Sequence, residues 1–231
     1  FGHRQAIPGL APDAGHQIAF ALFGIPGQQD VRGPRDAGPV QGIIGPSQLL
    51  FIQEPGQGIE ARSADLNRHV DHGFTASVER LKDFLRIPSV GTDPAYRDDT
   101  LRCAEWLAGQ LREIGFDASS RPTAGMPMVV GHWPGPPGAP HILYYGHYDV
   151  QPADPFELWD SPPFEPALVD GANGPRLVAR GAVDDKGQVM TWVEAFRAWK
   201  AVRGGPPVSV SVIVEGEEEA ASASFVPFLE A

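Results

Sequence analysis

From about Thr75 onward the sequence predicts a layered α/β domain, and three observations carry that prediction. Apolar residues at helical spacing alternate along the chain with short apolar runs of strand length. One such run, Val208 to Val214, has valine at every second position with Ser209, Ser211 and Ile213 between, as expected of a strand inside a sheet covered on both faces. Three polar clusters each follow directly on a predicted strand, at the end where α/β sheets bind ligands.

The elements follow in order. Ala76 to Leu85 has helical spacing, with Val78, Leu81, Phe84 and Leu85 on one face. A second helix, capped by Asp99 or Thr100, carries Leu101, Ala104, Trp106, Leu107, Leu111 and Ile114 as its apolar stripe, and Gly115 stops it. Cys103 lies on this helix as a small buried hydrophobe. Met128 to Trp133 and His141 to Tyr145 read as strands, and the turn-rich Pro134-Gly135-Pro136-Pro137-Gly138 between them predicts a hairpin. Arg176 to Arg180 is a short strand and Lys186 to Val202 a helix. The strand from Val208 follows, and a last helix begins near Ser222. Helices alternating with strands make a layered α/β domain, and one antiparallel hairpin makes its sheet mixed.

The first 72 or so residues differ. Phe1 stands where an initiator Met would, the first Met is Met126 and the first Lys is Lys82. Gly, Pro and Gln recur without helical or strand periodicity. A tract of this kind buries too little surface to offset its ordering entropy. Residues 1–72 are therefore expected to be irregular and not a natural domain, joined to the α/β domain over 73–231.

Composition narrows the function classes. Hydrophobic residues make up 42% of the 231, enough for a packed core. With Cys103 the single cysteine, no internal disulfide framework or cysteine zinc finger is possible. The formal net charge of -11 repels phosphates, which argues against nucleic acid. No run of about 18 apolar residues exists to span a membrane, and no signal peptide is visible, so a cytoplasmic location is expected.

The three clusters are Gly146-His147-Tyr148-Asp149-Val150-Gln151-Pro152, then Arg180-Gly181-Ala182-Val183-Asp184-Asp185-Lys186-Gly187, then Glu215-Gly216-Glu217-Glu218-Glu219. Singly each is ambiguous. Asp184-Asp185 can cap the helix that follows, and a Glu run is commonly a solvated face. Together, carboxylates gathered at one sheet edge repel each other unless cations or protons intervene. A His with carboxylates suits Zn or Mn. His147 and Asp149, two apart on an extended segment, face the same way, so Asp149 can hold the second imidazole nitrogen.

These motifs resemble metallopeptidase family M20, in its carnosinase-like dipeptidase branch, over roughly Thr75 to Ala231. Residues 146–152 look like the family's first metal motif, and Phe156 to Phe164 like the segment that follows it in dipeptidase-type members. Asp184 to Gly187 is similar to the bridging-aspartate motif, and Glu215 to Glu219 to the acidic motif. The resemblance implies a three-layer α/β/α domain, zinc-exopeptidase-like and incomplete here, with a mixed, mostly parallel sheet. It implies that His147 binds one metal, Asp184 bridges two and Glu219 binds the second. Glu218 would be the general base and Asp149 would orient His147. The cofactors implied are two divalent ions, Zn first and Mn or Co as alternatives, and the Asp184–Asp185 peptide is cis in relatives.

The implied activity is metal-dependent hydrolysis of dipeptides or short aminoacyl substrates. The alternatives are an N-acyl amino acid or succinyl-diamino acid deacylase of the same family, or a non-catalytic remnant. The resemblance implies small peptides as partners and a homodimer as the state of a full-length relative. The family pattern has Gly before Ser222, where this chain has Ala221. Relatives also draw a further ligand for each metal, and a lid domain, from downstream segments. The 231-residue polypeptide is accordingly expected to be a poor catalyst by itself.

Overall fold

The computed structural model describes residues 59–171 and 175–231. In chain order, helices α1 (Ile59–Leu85) and α2 (Arg97–Ile114) are followed by strands β1 (Asp117–Arg121), β2 (Met128–Trp133) and β3 (His141–His147). Next come β4 (Ala167–Val169), β5 (Arg176–Val178), helix α3 (Lys186–Arg203), strand β6 (Ser209–Glu215) and the short α4 (Phe225–Glu230). Among the described residues no helix is long and apolar enough to cross a membrane.

The main sheet has the order β1-β2-β6-β3, and β4 pairs with β5 as a separate hairpin. The sheet is mixed, as expected. The expected parallel majority is corrected: β1–β2 and β2–β6 are antiparallel, and only β3–β6 is parallel. The hairpin also lies elsewhere than expected. It is β1–β2, and β6 sits between β2 and β3. The connection through residues 134–140 does reverse the chain, but it arches over the start of β6, where Ser209 donates its backbone N–H to Pro140 O at 2.9 Å and its Oγ to Trp133 O at 3.2 Å. Gly135 has φ 62, and a Cβ there would lie 2.4 Å from the Ser209 nitrogen. A glycine- and proline-rich stretch signals a reversal but not whether a third strand fills it.

Helices α1, α2 and α3 cover one face. Leu81, Phe84 and Leu85 of α1, Cys103, Ala104, Leu107 and Leu111 of α2, and Val189, Val193 and Phe196 of α3 pack against Val129, Tyr144, Val210, Val212 and Val214 of the sheet. Leu101, assigned to the buried stripe of α2, is instead exposed. Gly115, left-handed at φ 107, ends α2 as expected and receives the chain's turn into β1. The other face of the sheet carries only α4 among the described residues, through a Tyr145–Phe225 ring contact at 5.1 Å. Leu143 and Tyr145 stay exposed there, and Ile213 is half-buried. The second helical layer of the expected three-layer domain is thus barely begun, and β6 is central without being covered on both faces.

The expectation for residues 1–72 divides. Residues 1–58 lie outside the described residues. Residues 59–72 are helical, not irregular, because α1 runs unbroken through the boundary placed at 72. The reason is visible in the spacing: Leu66, Val70, Phe74 and Val78 recur every four residues and lead into Leu81 and Leu85. Leu66 is buried, and Asp65 pairs with Arg203 of α3 at 3.2 Å. Further along, Arg80 grips Glu194 of α3 through Nε at 2.7 Å and Nη2 at 2.6 Å, with Ser77 Oγ donating to the same carboxylate.

Candidate metal centre

The parallel pairing of β3 and β6 builds the site. Their carboxyl ends lie side by side, with His147 opposite Glu215, so the segments that leave both strands emerge at one sheet edge. The loop from β5 into α3 brings Asp184 and Asp185 to the same edge.

His147 is buried and held on three sides. Its backbone N–H donates to Asp185 Oδ2 at 3.2 Å. Its Nδ1 lies 3.1 Å from the Asp149 carbonyl oxygen and 3.3 Å from Asp149 Oδ1. Its Nε2 faces Asp184 Oδ1 at 3.1 Å, with Glu218 Oε2 at 3.9 Å. One ligand atom each from His147, Asp184 and Glu219 lie within 4.8 Å of one another. The Asp184–Asp185 peptide is cis.

The protonation equilibria reflect this crowding. Burial opposes the charge on His147, yet hydrogen bonds to Asp149 and Asp184 and the Asp185 charge push its pKa up to about 11. The His147 hydrogen bond holds Asp184 below the usual carboxylate range. Burial pushes Asp185 up to about 6 and raises Glu219 as well. In this form a shared proton on His147 balances the carboxylates. A divalent cation supplies the same compensation more strongly, and one imidazole with two carboxylates is a fitting donor set for it.

Not every acidic side chain here is free for chemistry. Asp149, fully buried, accepts the backbone N–H groups of Glu218 at 3.2 Å and Glu219 at 3.0 Å. Glu215, also fully buried, accepts from Tyr145 OH at 2.5 Å and Ser222 Oγ at 2.9 Å. Glu217 accepts the Ser224 backbone N–H at 3.3 Å. Asp149, Glu215 and Glu217 therefore fasten the 217–224 turn, which leaves Glu218 and Glu219 beside His147. Sequence reading missed Glu215 as a support. Its signal was the alternation of β6, which turns Glu215 to the same side as His147.

Two further supports were missed. Gln151 donates to Glu219 Oε2 at 2.6 Å. Lys186, fully buried at the start of α3, donates to Phe84 O at 3.0 Å and Ile87 O at 2.6 Å and lies over the Phe84 ring. Burial lowers its pKa. It ties the α3 end of the Asp184–Asp185 loop to the end of α1.

Residues 143–230 match Peptidase family M20/M25/M40. The chain is 33% identical over 172 residues to the rat Beta-Ala-His dipeptidase, covering 68% of this chain and 34% of that protein. It is 32% identical over 158 residues to a Cys-Gly metallodipeptidase of Candida albicans, covering 63% of this chain and 32% of that one. The crystal structure of human carnosine dipeptidase 1 superposes with a TM-score of 0.66 at 28% identity, over 73% of this chain and 37% of that one. The M20 dipeptidase resemblance read from the motifs holds, and the chain spans about a third of the length of the curated relatives it matches.

Proposed function

From the M20 dipeptidase resemblance and the geometry of this edge, we propose that the chain carries the metal-binding part of a metal-dependent dipeptidase. The observation that carries the reading is the convergence of His147, Asp184 and Glu219 within 4.8 Å, with Glu218 beside them. In this reading His147 and Asp184 hold one ion, and Asp184 and Glu219 the other. Zinc is taken first on the M20 resemblance, with manganese or cobalt as alternatives that the imidazole and carboxylate donors also suit. When bound, the ions polarise the scissile carbonyl and lower the pKa of a water.

The chain's own residues do the rest. Glu218, nearly half exposed at the mouth, takes the proton of the attacking water and returns it to the leaving amine. Asp149 keeps the Nδ1 side of His147 occupied, which leaves Nε2 for the ion, and holds Glu218 and Glu219 by their backbone. Small peptides are the proposed substrates, and a homodimer is the proposed state of the full-length protein.

The test is hydrolysis of a panel holding β-Ala-His, Cys-Gly and N-acyl amino acids, by the chain extended to the length of its relatives and loaded with zinc. Turnover of the dipeptides that Glu218→Gln lowers at least about 100-fold, with zinc content kept, supports the reading. Turnover of the N-acyl amino acids alone would replace dipeptidase by deacylase, and full activity in Glu218→Gln would remove the general base. The 231-residue chain assayed beside it is expected to be slower by more than about 100-fold, because three donors shared by two ions leave each below the usual three.

A further inference from the structure

At the opposite end of the same sheet, His132 of β2 and His141 of β3 flank Ser211 of β6 on the face that α1 to α3 leave open. His141 Nε2 lies 2.8 Å from Ser211 Oγ, and His132 Nδ1 lies 3.5 Å from the same oxygen. The two rings stand edge to face with centroids 6.1 Å apart. Both histidines are exposed. About six strand residues, or roughly 20 Å, separate His141 from His147, so this cluster is distinct from the candidate metal centre.

We propose that His132 and His141, with Ser211 between them, form a second divalent-cation site, one that takes imidazole-preferring ions of the zinc class. The geometry supports it directly. A metal-bound imidazole nitrogen lies about 2.0–2.1 Å from zinc, which puts the ring centroid about 3.2 Å from the ion and, at the tetrahedral angle, two such centroids about 5.2 Å apart. The observed 6.1 Å is within about 1 Å of that spacing, a closure that side-chain rotation on fixed strands supplies. Ser211 has one hydroxyl proton, so it can donate to only one of the two nitrogens that face it. An ion at the focus takes both lone pairs and leaves the hydroxyl or water as a further oxygen donor.

The surroundings fit a cation. Asp117 of β1 lies directly across from His132 in the β1–β2 ladder, on the same face. A carboxylate there adds negative charge beside His132. The site joins β2 to β3 across the strand that separates them, so an ion there clips together three strands whose outer face carries only α4 among the described residues.

The experiment is a zinc titration of the full chain with the imidazole resonances of each histidine followed by NMR, in an Asp184→Asn background that weakens the candidate metal centre. His132 and His141 are expected to shift together and saturably with zinc, and magnesium at the same concentration is expected to leave both unmoved. His132→Gln should weaken the response of His141 at least tenfold, and His141→Gln that of His132. Both positions are exposed, and thermal melts of the variants check that each remains folded. Rings that respond to zinc independently, each unaffected by loss of the other, or that do not respond at all, would overturn the proposal.

Discussion

Asp149 and Glu219 are joined through a side chain and a backbone: the buried Asp149 carboxylate accepts the Glu219 N–H at 3.0 Å, while its other oxygen lies 3.3 Å from His147 Nδ1. One carboxylate therefore sets the distance between a ligand on β3 and a ligand on the turn after β6. Asp149→Asn keeps one acceptor oxygen and the volume but loses the charge. It is expected to fold and to bind zinc about 10–100-fold more weakly. Asp149→Ala strands two part-buried N–H groups and is expected to cost about 1–3 kcal/mol in urea unfolding. Unchanged zinc affinity in Asp149→Asn would show that the link is structural only.

Zinc uptake should be strongly pH-dependent. His147 is a base pushed up to about 11 in the metal-free protein, with burial opposing and Asp149, Asp184 and Asp185 favouring its proton. Binding an ion must expel that proton, so affinity should rise by about tenfold per pH unit through neutral pH. Calorimetry in buffers of different ionisation enthalpy counts the protons released, and His147→Gln should reduce that count by about one. For stability of the metal-free protein the sign is the reverse. A raised pKa contributes fully below the unfolded value of about 6.5 and is lost as pH climbs toward about 11, so the metal-free protein should melt lower at pH 9 than at pH 6.

Ala221 sits in the left-handed region at φ 72, followed by Ser222 at φ 52, where the turn bearing Glu218 and Glu219 closes. A Cβ in that conformation costs about 1–2 kcal/mol. Ala221→Gly removes that cost but loosens the unfolded chain, so the net gain should be about 0.5–1 kcal/mol in urea unfolding. Destabilisation by this change would mean that the turn is held in another conformation.

The Arg80–Glu194 pair should make stability fall in acid. Burial raises the Glu194 pKa, but hydrogen bonds from Arg80 and Ser77 outweigh it and leave it lowered. A depressed carboxylate pKa contributes above the unfolded value of 4.5 and is lost as pH falls through the folded one. Glu194→Gln should cost about 1–3 kcal/mol at pH 7 and flatten the stability profile below about pH 4.5. An unchanged acid profile in this variant would assign the acid sensitivity elsewhere.

The sequence by itself determined the helices and strands that have strong periodicity, and the three polar clusters from which the candidate centre is drawn. Lys186 to Val202, Met128 to Trp133 and the alternating Val208 to Val214 are local patterns, and each falls within a residue or two of its element. The clusters that hold His147, Asp184, Glu218 and Glu219 stand out because they follow predicted strands, and the role of each residue comes from the resemblance to the M20 motifs. The helical stripe through Leu66, Val70 and Phe74 is equally legible, but the glycine-rich tract before it obscures the start of α1.

Tertiary structure decided what local pattern cannot contain. Strand order depends on which apolar face pairs with which, so nothing in residues 134–140 could announce that β6 would enter between β2 and β3. The roles of Asp149, Glu215 and Glu217 in fastening the turn arose from hydrogen bonds to the Glu219 and Ser224 backbone and to the Ser222 hydroxyl, groups that only the folded turn presents. His132 and His141 meet over Ser211 solely because a strand more than sixty residues later is placed between them. Hydrogen-bond partners far apart in sequence are chosen by packing, and packing is a property of the whole core.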